Sequence, residues 1–154
     1  MHAQIVNPFL SATTDLFSNM FGLEVSAGSP YELETHAPHE WEISGVLGVT
    51  GGHQGLLAFR LPRLVAEELL KKSGVDIPDE AERKDLVNNM VGELTNIIAG
   101  NAAVLFESAD IDISPPIVVL GKHHEITWPR GIEPVVGIPF STSFGQFEIN
   151  VCVK

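Results

Sequence analysis

Residues 79–108, "DEAERKDLVNNMVGELTNIIAGNAAVLFES", contain no proline and keep one apolar side from end to end. That commits the chain to a long helix that needs a surface to lie on. At about 100° per residue, Leu86, Val87, Met90, Leu94, Ile97, Ile98 and Leu105 gather on one side. Asp85, Asn89, Glu93, Asn96 and Gly100 share an opposite arc of roughly 80°. Asp79 followed by Glu82 has the form of a capping box. Glu93 and Asn96 stand at i and i+3, so they are neighbours on the polar stripe. The simplest reading of such a stripe is a solvated face. Its composition argues for something more, because an exposed helix face is usually richer in Lys and Glu than in Asn and Gly. A bare glycine at position 100 costs about 1 kcal/mol relative to alanine. Its use would be to let another surface come close. Asn101 falls on the apolar side and reads as a structural residue that needs hydrogen-bond partners.

The rest of the chain supplies the surface. "NPFLSATTDLFSNMFG" predicts a first helix, with Asn7 as cap, Pro8 at its first position and Gly22 as its stop. "YELETHA" alternates weakly, as a strand would. "EWEISGVLGVTG" and "HQGLLAFRLP" predict two strands joined as a hairpin through Gly51-Gly52. "LPRLVAEELLKKSG" predicts a short amphipathic helix from near Pro62 to Gly74. The tail, "IDISPPIVVLGK", "HHEITW", "GIEPVVGIPFST" and "FGQFEINVCVK", is β-branched and broken by Pro and Gly, giving three or four more strands. The expected class is α+β: a largely antiparallel sheet with long helices on one face. With 154 residues, no linker and no low-complexity segment, one domain over 1–154 is expected.

Charge and cysteine content narrow the function classes. A net charge of −11 argues against nucleic acid and anionic membrane surfaces as partners. No apolar run approaches the roughly 18 residues of a membrane helix. The start "MHAQIVNPFL" lacks the features of a secretory signal, and a single cysteine forms no internal disulfide, so a cytoplasmic location is expected. Cys152, between two valines, reads as a buried strand residue rather than a nucleophile. His123 and His124 would face opposite sides of a strand, and no metal-ligand spacing occurs, so no metal site is expected. Trp41 and Trp128 read as sheet packing. "SGVLGVTGGHQG" is glycine-rich but lacks the Gly-Lys-Ser/Thr ending of a phosphate loop.

"GELTNIIAGNA", preceded by "NPFLSATTDLFSNMFG" and followed by "ISPPIVVLG", resembles the CheC/CheX/FliY family of chemotaxis phosphatases, and most nearly its single-site CheX branch. The likeness runs through most of the chain. The family signature is a Glu and an Asn, two residues between them, on a long helix; Glu93 and Asn96 occupy those positions. Asn89 stands where the family pattern has Asp or Ser. The resemblance also implies an internal echo, with "TDLFSNMFG" aligned on "GELTNIIAG". Asp15 then falls on Glu93 and Ser18 on Asn96, and since a hydroxyl presents no amide, one working site per chain is expected.

What the resemblance implies about function is specific. The substrate would be the aspartyl phosphate of a CheY-like response regulator, whose pocket supplies its own Mg²⁺ and Lys. Asn96 would hold the attacking water, Glu93 would pair with the regulator's Lys, and Asn89 and Gly100 would face the partner. No cofactor of the chain's own is implied. The resemblance also implies a homodimer joined sheet to sheet, and the long apolar C-terminal strands would be the kind of edge that pairs. The alternative is a non-catalytic module of the same fold that binds a phosphorylated receiver or a flagellar switch component.

Overall fold

A computed structural model describes residues 3–106 and 110–154. The elements run α1 (Ala3–Phe21), β1 (Ser26–Ala27), β2 (Tyr31–Glu32), β3 (Ile43–Gly51), β4 (Gly55–Leu61), α2 (Arg63–Lys72), α3 (Glu80–Leu105), β5 (Ile111–Ile113), β6 (Ile117–Leu120), β7 (Val136–Thr142) and β8 (Gly145–Val153). The eight strands form one antiparallel sheet in the order β1-β7-β8-β4-β3-β5, with β2 also on β7 and β6 also on β3. The expected class is borne out: α+β, antiparallel, helices against the sheet.

The core lies between one sheet face and the helices. Phe17 of α1 is fully buried and stacks on Phe147 of β8, with ring centroids 4.6 Å apart and planes 11° off parallel. Phe59 meets both edge-on, and Ile43, Leu47, Leu61 and Ile149 complete the sheet side. Against them α3 buries Val87, Val91, Leu94, Ile98 and Ala102.

Several expectations need correction. The first helix starts at Ala3, so Asn7 is not its cap and Pro8 lies inside it. Pro8 forfeits only the bond its N–H would give the Gln4 carbonyl, and one more turn buries Val6 in the core. "YELETHA" is a strand only at Tyr31–Glu32, and "HHEITW" is not a strand. The C-terminal strands are not edges: β8 lies between β4 and β7, and β7 also pairs with β1 and β2. Their apolar run comes from burial inside the sheet. Asn101 and Leu105 are exposed, not part of the packed face. The long helix ends at Leu105, and the expected end near Ser108 lies outside the described residues. The Gly51-Gly52 hairpin, the Pro62 and Asp79 helix starts and the buried Cys152 stand as expected. The backbone N–H of Glu82 donates to the Asp79 carboxylate at 3.0 Å. Burial pushes the Cys152 thiol up, away from reactivity.

Among the described residues the other sheet face carries no helix. Strand alternation places Ser44, Arg60, Glu148 and Asn150 there, all buried. Two irregular segments, 33–42 and 121–134, reach over this face. Arg60 Nε donates to Ser44 Oγ at 3.0 Å, and Ser44 in turn donates to His124 Nε2 at 2.6 Å. His124 Nδ1–H donates to the Gly121 carbonyl at 2.5 Å. The Trp41 backbone N–H donates to His39 Nδ1 at 3.0 Å, which leaves the proton of that ring on Nε2, and Nε2 donates to the His124 carbonyl at 2.6 Å. His124 is therefore neutral. Burial, aided by Arg60 and His39, holds it below the usual histidine value. The unfolded chain takes up that proton first, so stability is lost as pH falls below about 6.5. We expect the melting temperature to drop between pH 7.5 and pH 5.5, and less steeply in His124→Gln. An equal slope in the two proteins would exclude His124 as the source.

Candidate functional site

The polar stripe of α3 is set by how the opposite side of the helix is fixed. Thr95 is fully buried, its hydroxyl donating to the Val91 carbonyl at 2.7 Å, and it sits directly on Gly45 of β3. A Cβ at position 45 would overlap Thr95 Oγ1. Gly92 is buried beside the β5–β6 connection: a Cβ there would lie 3.4 Å from Val118 Cγ2 and 3.9 Å from Pro116 Cγ. Pro116 and Val118 therefore sit against the helix one residue before Glu93. With Gly92 and Thr95 both seated, Glu93 and Asn96 can only point outward.

Glu93 is exposed and Asn96 is partly exposed. Their Cβ atoms are about 5–6 Å apart, as i and i+3 positions are. Among the described residues neither side chain has a hydrogen bond or ion pair, so both tips are available to an incoming group. Asn89 is exposed one turn earlier. Gly100 is partly exposed, and a Cβ there would meet nothing within 4 Å, so the helix offers bare backbone to open space. The stripe is thus one surface holding Asn89, Glu93, Asn96 and Gly100 together. On α1, Asp15 and Ser18 are exposed, and Ser18 has no amide to present. Among the described residues no group of three or more His, Cys, Asp or Glu side chains is placed to hold a metal ion. No described helix is long and apolar enough to cross a membrane.

An antiparallel eight-stranded sheet with long helices on one face is the α+β fold of CheC-like proteins. A CheC-like superfamily protein from Shewanella sp. PV-4 is similar over the whole chain, at 28% identity, covering 100% of this chain and 99% of that one, TM-score 0.84. Residues 43–141 match the family model for the chemotaxis phosphatase CheX, and the chain belongs to the CheX family. It is 31% identical to the chemotaxis protein CheX of Desulfovibrio desulfuricans, covering 98% of this chain and 99% of that one with TM-score 0.84. It is 25% identical to CheX in the CheX–CheY–BeF₃–Mg²⁺ complex from Borrelia burgdorferi, covering 97% of each chain with TM-score 0.81. A comparison with curated proteins gives no match.

The pair on α3 was accessible to sequence reasoning. The buried network of Ser44, Arg60, Glu148 and Asn150 was not anticipated. Its signal is present, as single polar residues inside apolar strands: "EISGVLG", "LLAFRLP", "FEINVCV". Trp41 and Trp128 are partly buried and line a cavity on that face rather than packing into the sheet.

Proposed function

We propose that this chain hydrolyses the aspartyl phosphate of a CheY-like response regulator. The observation that carries the reading is the Glu93–Asn96 pair: adjacent turns of one long helix, both tips without a hydrogen-bond or ion-pair partner among the described residues. Phosphoryl transfer asks mainly for positioning and charge stabilisation. The regulator brings its own Mg²⁺ and Lys, so this chain needs no metal, and a complex of CheX with CheY and Mg²⁺ exists for the Borrelia burgdorferi protein.

Asn96 enters the phosphorylation pocket, where its Oδ1 accepts a hydrogen bond from a water and its Nδ2–H donates. The water oxygen bonds to phosphorus as the bond from phosphorus to the aspartyl oxygen breaks. The products are inorganic phosphate and the free carboxylate. Glu93 pairs with the regulator's Lys and fixes the register of the helix in the pocket. Asn89 and the open backbone at Gly100 face the receiver. One site works per chain, since Ser18 cannot take the part of Asn96. The protein acts as a homodimer in the cytoplasm.

Phosphate release from an acyl-phosphorylated receiver, followed with and without this protein, tests the reading. Acceleration is expected. Binding of the phosphorylated receiver without acceleration would leave a docking module instead. Glu93→Ala is expected to raise KM and lower kcat by about tenfold each, since truncating one partner of a charge pair that becomes buried costs a few kcal/mol.

A further inference from the structure

The helix-free face holds an open cavity of about 1210 Å³ lined by Arg60, Glu148, Tyr31, Trp41 and Trp128. Arg60 and Glu148 are directly opposed in the β4–β8 register and each is only 5% exposed. Yet no ion pair joins them. Glu148 Oε2 accepts from the Tyr31 hydroxyl at 2.6 Å and from Asn150 Nδ2 at 2.7 Å, while Oε1 accepts no hydrogen bond among the described residues. On the guanidinium, Nε is satisfied by Ser44 and Nη1 reaches Asn150 Oδ1 at 3.4 Å. Nη2 lies 3.0 Å from His39 Nε2 and 3.4 Å from His124 Nε2. Neither is free to accept. His39 Nε2 carries the ring proton, and the lone pair of His124 Nε2 is taken by the Ser44 hydroxyl.

Nη2 thus faces two ring nitrogens that cannot accept, and Oε1 opens on the cavity, so each is left to solvent or to a ligand. Both open ends belong to one cavity. An anionic oxygen would satisfy Nη2, but a purely anionic ligand meets a rim of Glu32, Glu34, Glu40, Glu42 and Glu125 against Lys122. A ligand carrying both signs satisfies both groups and brings no net charge. We propose that this cavity binds a small zwitterion of the α-amino acid type, its carboxylate on Arg60 Nη2 and its ammonium on Glu148 Oε1. The side chain of the ligand lies against the aromatic walls. The site is on the opposite sheet face from α3 and does not depend on the phosphatase reading.

Trp41 and Trp128 are the chain's two tryptophans and both line the cavity, so intrinsic fluorescence reports on it alone. The probes are glycine, L-leucine and L-phenylalanine, with acetate, inorganic phosphate and butylamine as single-charge controls. A saturable change with at least one amino acid, and none with the controls at equal concentration, is expected. Glu148→Gln, confirmed folded by circular dichroism, is expected to weaken that binding at least about tenfold. No saturable response to any of the amino acids would overturn the proposal. So would an equal response to a control, which would mark a site for one charge only, or unchanged affinity in folded Glu148→Gln. Should that variant not fold, the wild-type panel decides by itself.

Discussion

Asn96→Ala is expected to lower the rate of phosphate release from a phosphorylated receiver by about 100-fold, with KM changed by no more than about threefold. The split follows from what the side chain does. Its amide is partly exposed and makes no hydrogen bond among the described residues, and one small side chain adds little contact area, so receiver binding barely depends on it. What it supplies is the position of one water, and a misplacement of about 1 Å at a reacting centre is enough to cost two orders of magnitude. Asn96→Asp should not rescue the rate, since a carboxylate offers no N–H and sets a negative charge against the phosphoryl oxygens. The measurement is initial phosphate release against receiver concentration, so that kcat and KM separate. Wild-type rates in Asn96→Ala would remove the proposed mechanism. A loss confined to KM would make Asn96 a docking contact only.

How much of this was legible in the sequence depends on where each feature's cause lies. The α3 helix was readable because its period, cap and glycine are all local. The β3–β4 hairpin was readable because Gly51 holds φ 88°, a conformation that favours glycine. The start of α1 was misplaced because a proline signal that is right on average is overridden by core burial of Val6. The C-terminal strands were taken as edges because an apolar strand reads alike at an edge and in the interior, and only pairing with β4 distinguishes the two. Asn101 was misjudged for a related reason. Its neighbours Ile98, Ala99 and Ala102 are buried, so the packed face is turned toward them and leaves Asn101 at its flank. The candidate pair was legible as a stripe but not as a site on geometry alone, and the likeness to a family raised it. The Arg60 network stayed hidden because its members are brought together by register between β3, β4 and β8, which no single segment encodes.

Register also makes Gly45 the most sensitive backbone position beneath the site. Gly45→Ala is expected to destabilise the fold by about 1–3 kcal/mol, the usual cost of overpacking a tight core. The new Cβ would overlap Thr95 Oγ1, and would lie 3.0 Å from Thr95 Cβ and 3.2 Å from the Val91 carbonyl oxygen. Two relaxations exist. Thr95 can rotate, which breaks its bond to the Val91 carbonyl and leaves a buried hydroxyl without a partner. Otherwise α3 lifts from β3 at this turn, and because Asn96 follows Thr95 directly, the lift moves the water-holding amide. Denaturant midpoints measure the first effect, and kcat on the folded protein measures the second. Thr95→Ala should partly relieve Gly45→Ala, since it removes the overlapping oxygen but keeps a carbon at 3.0 Å. The double variant is then more stable than the sum of the two single losses predicts. Strict additivity would mean that Gly45 is not what seats Thr95, and the close helix–strand contact would no longer explain why Glu93 and Asn96 face outward.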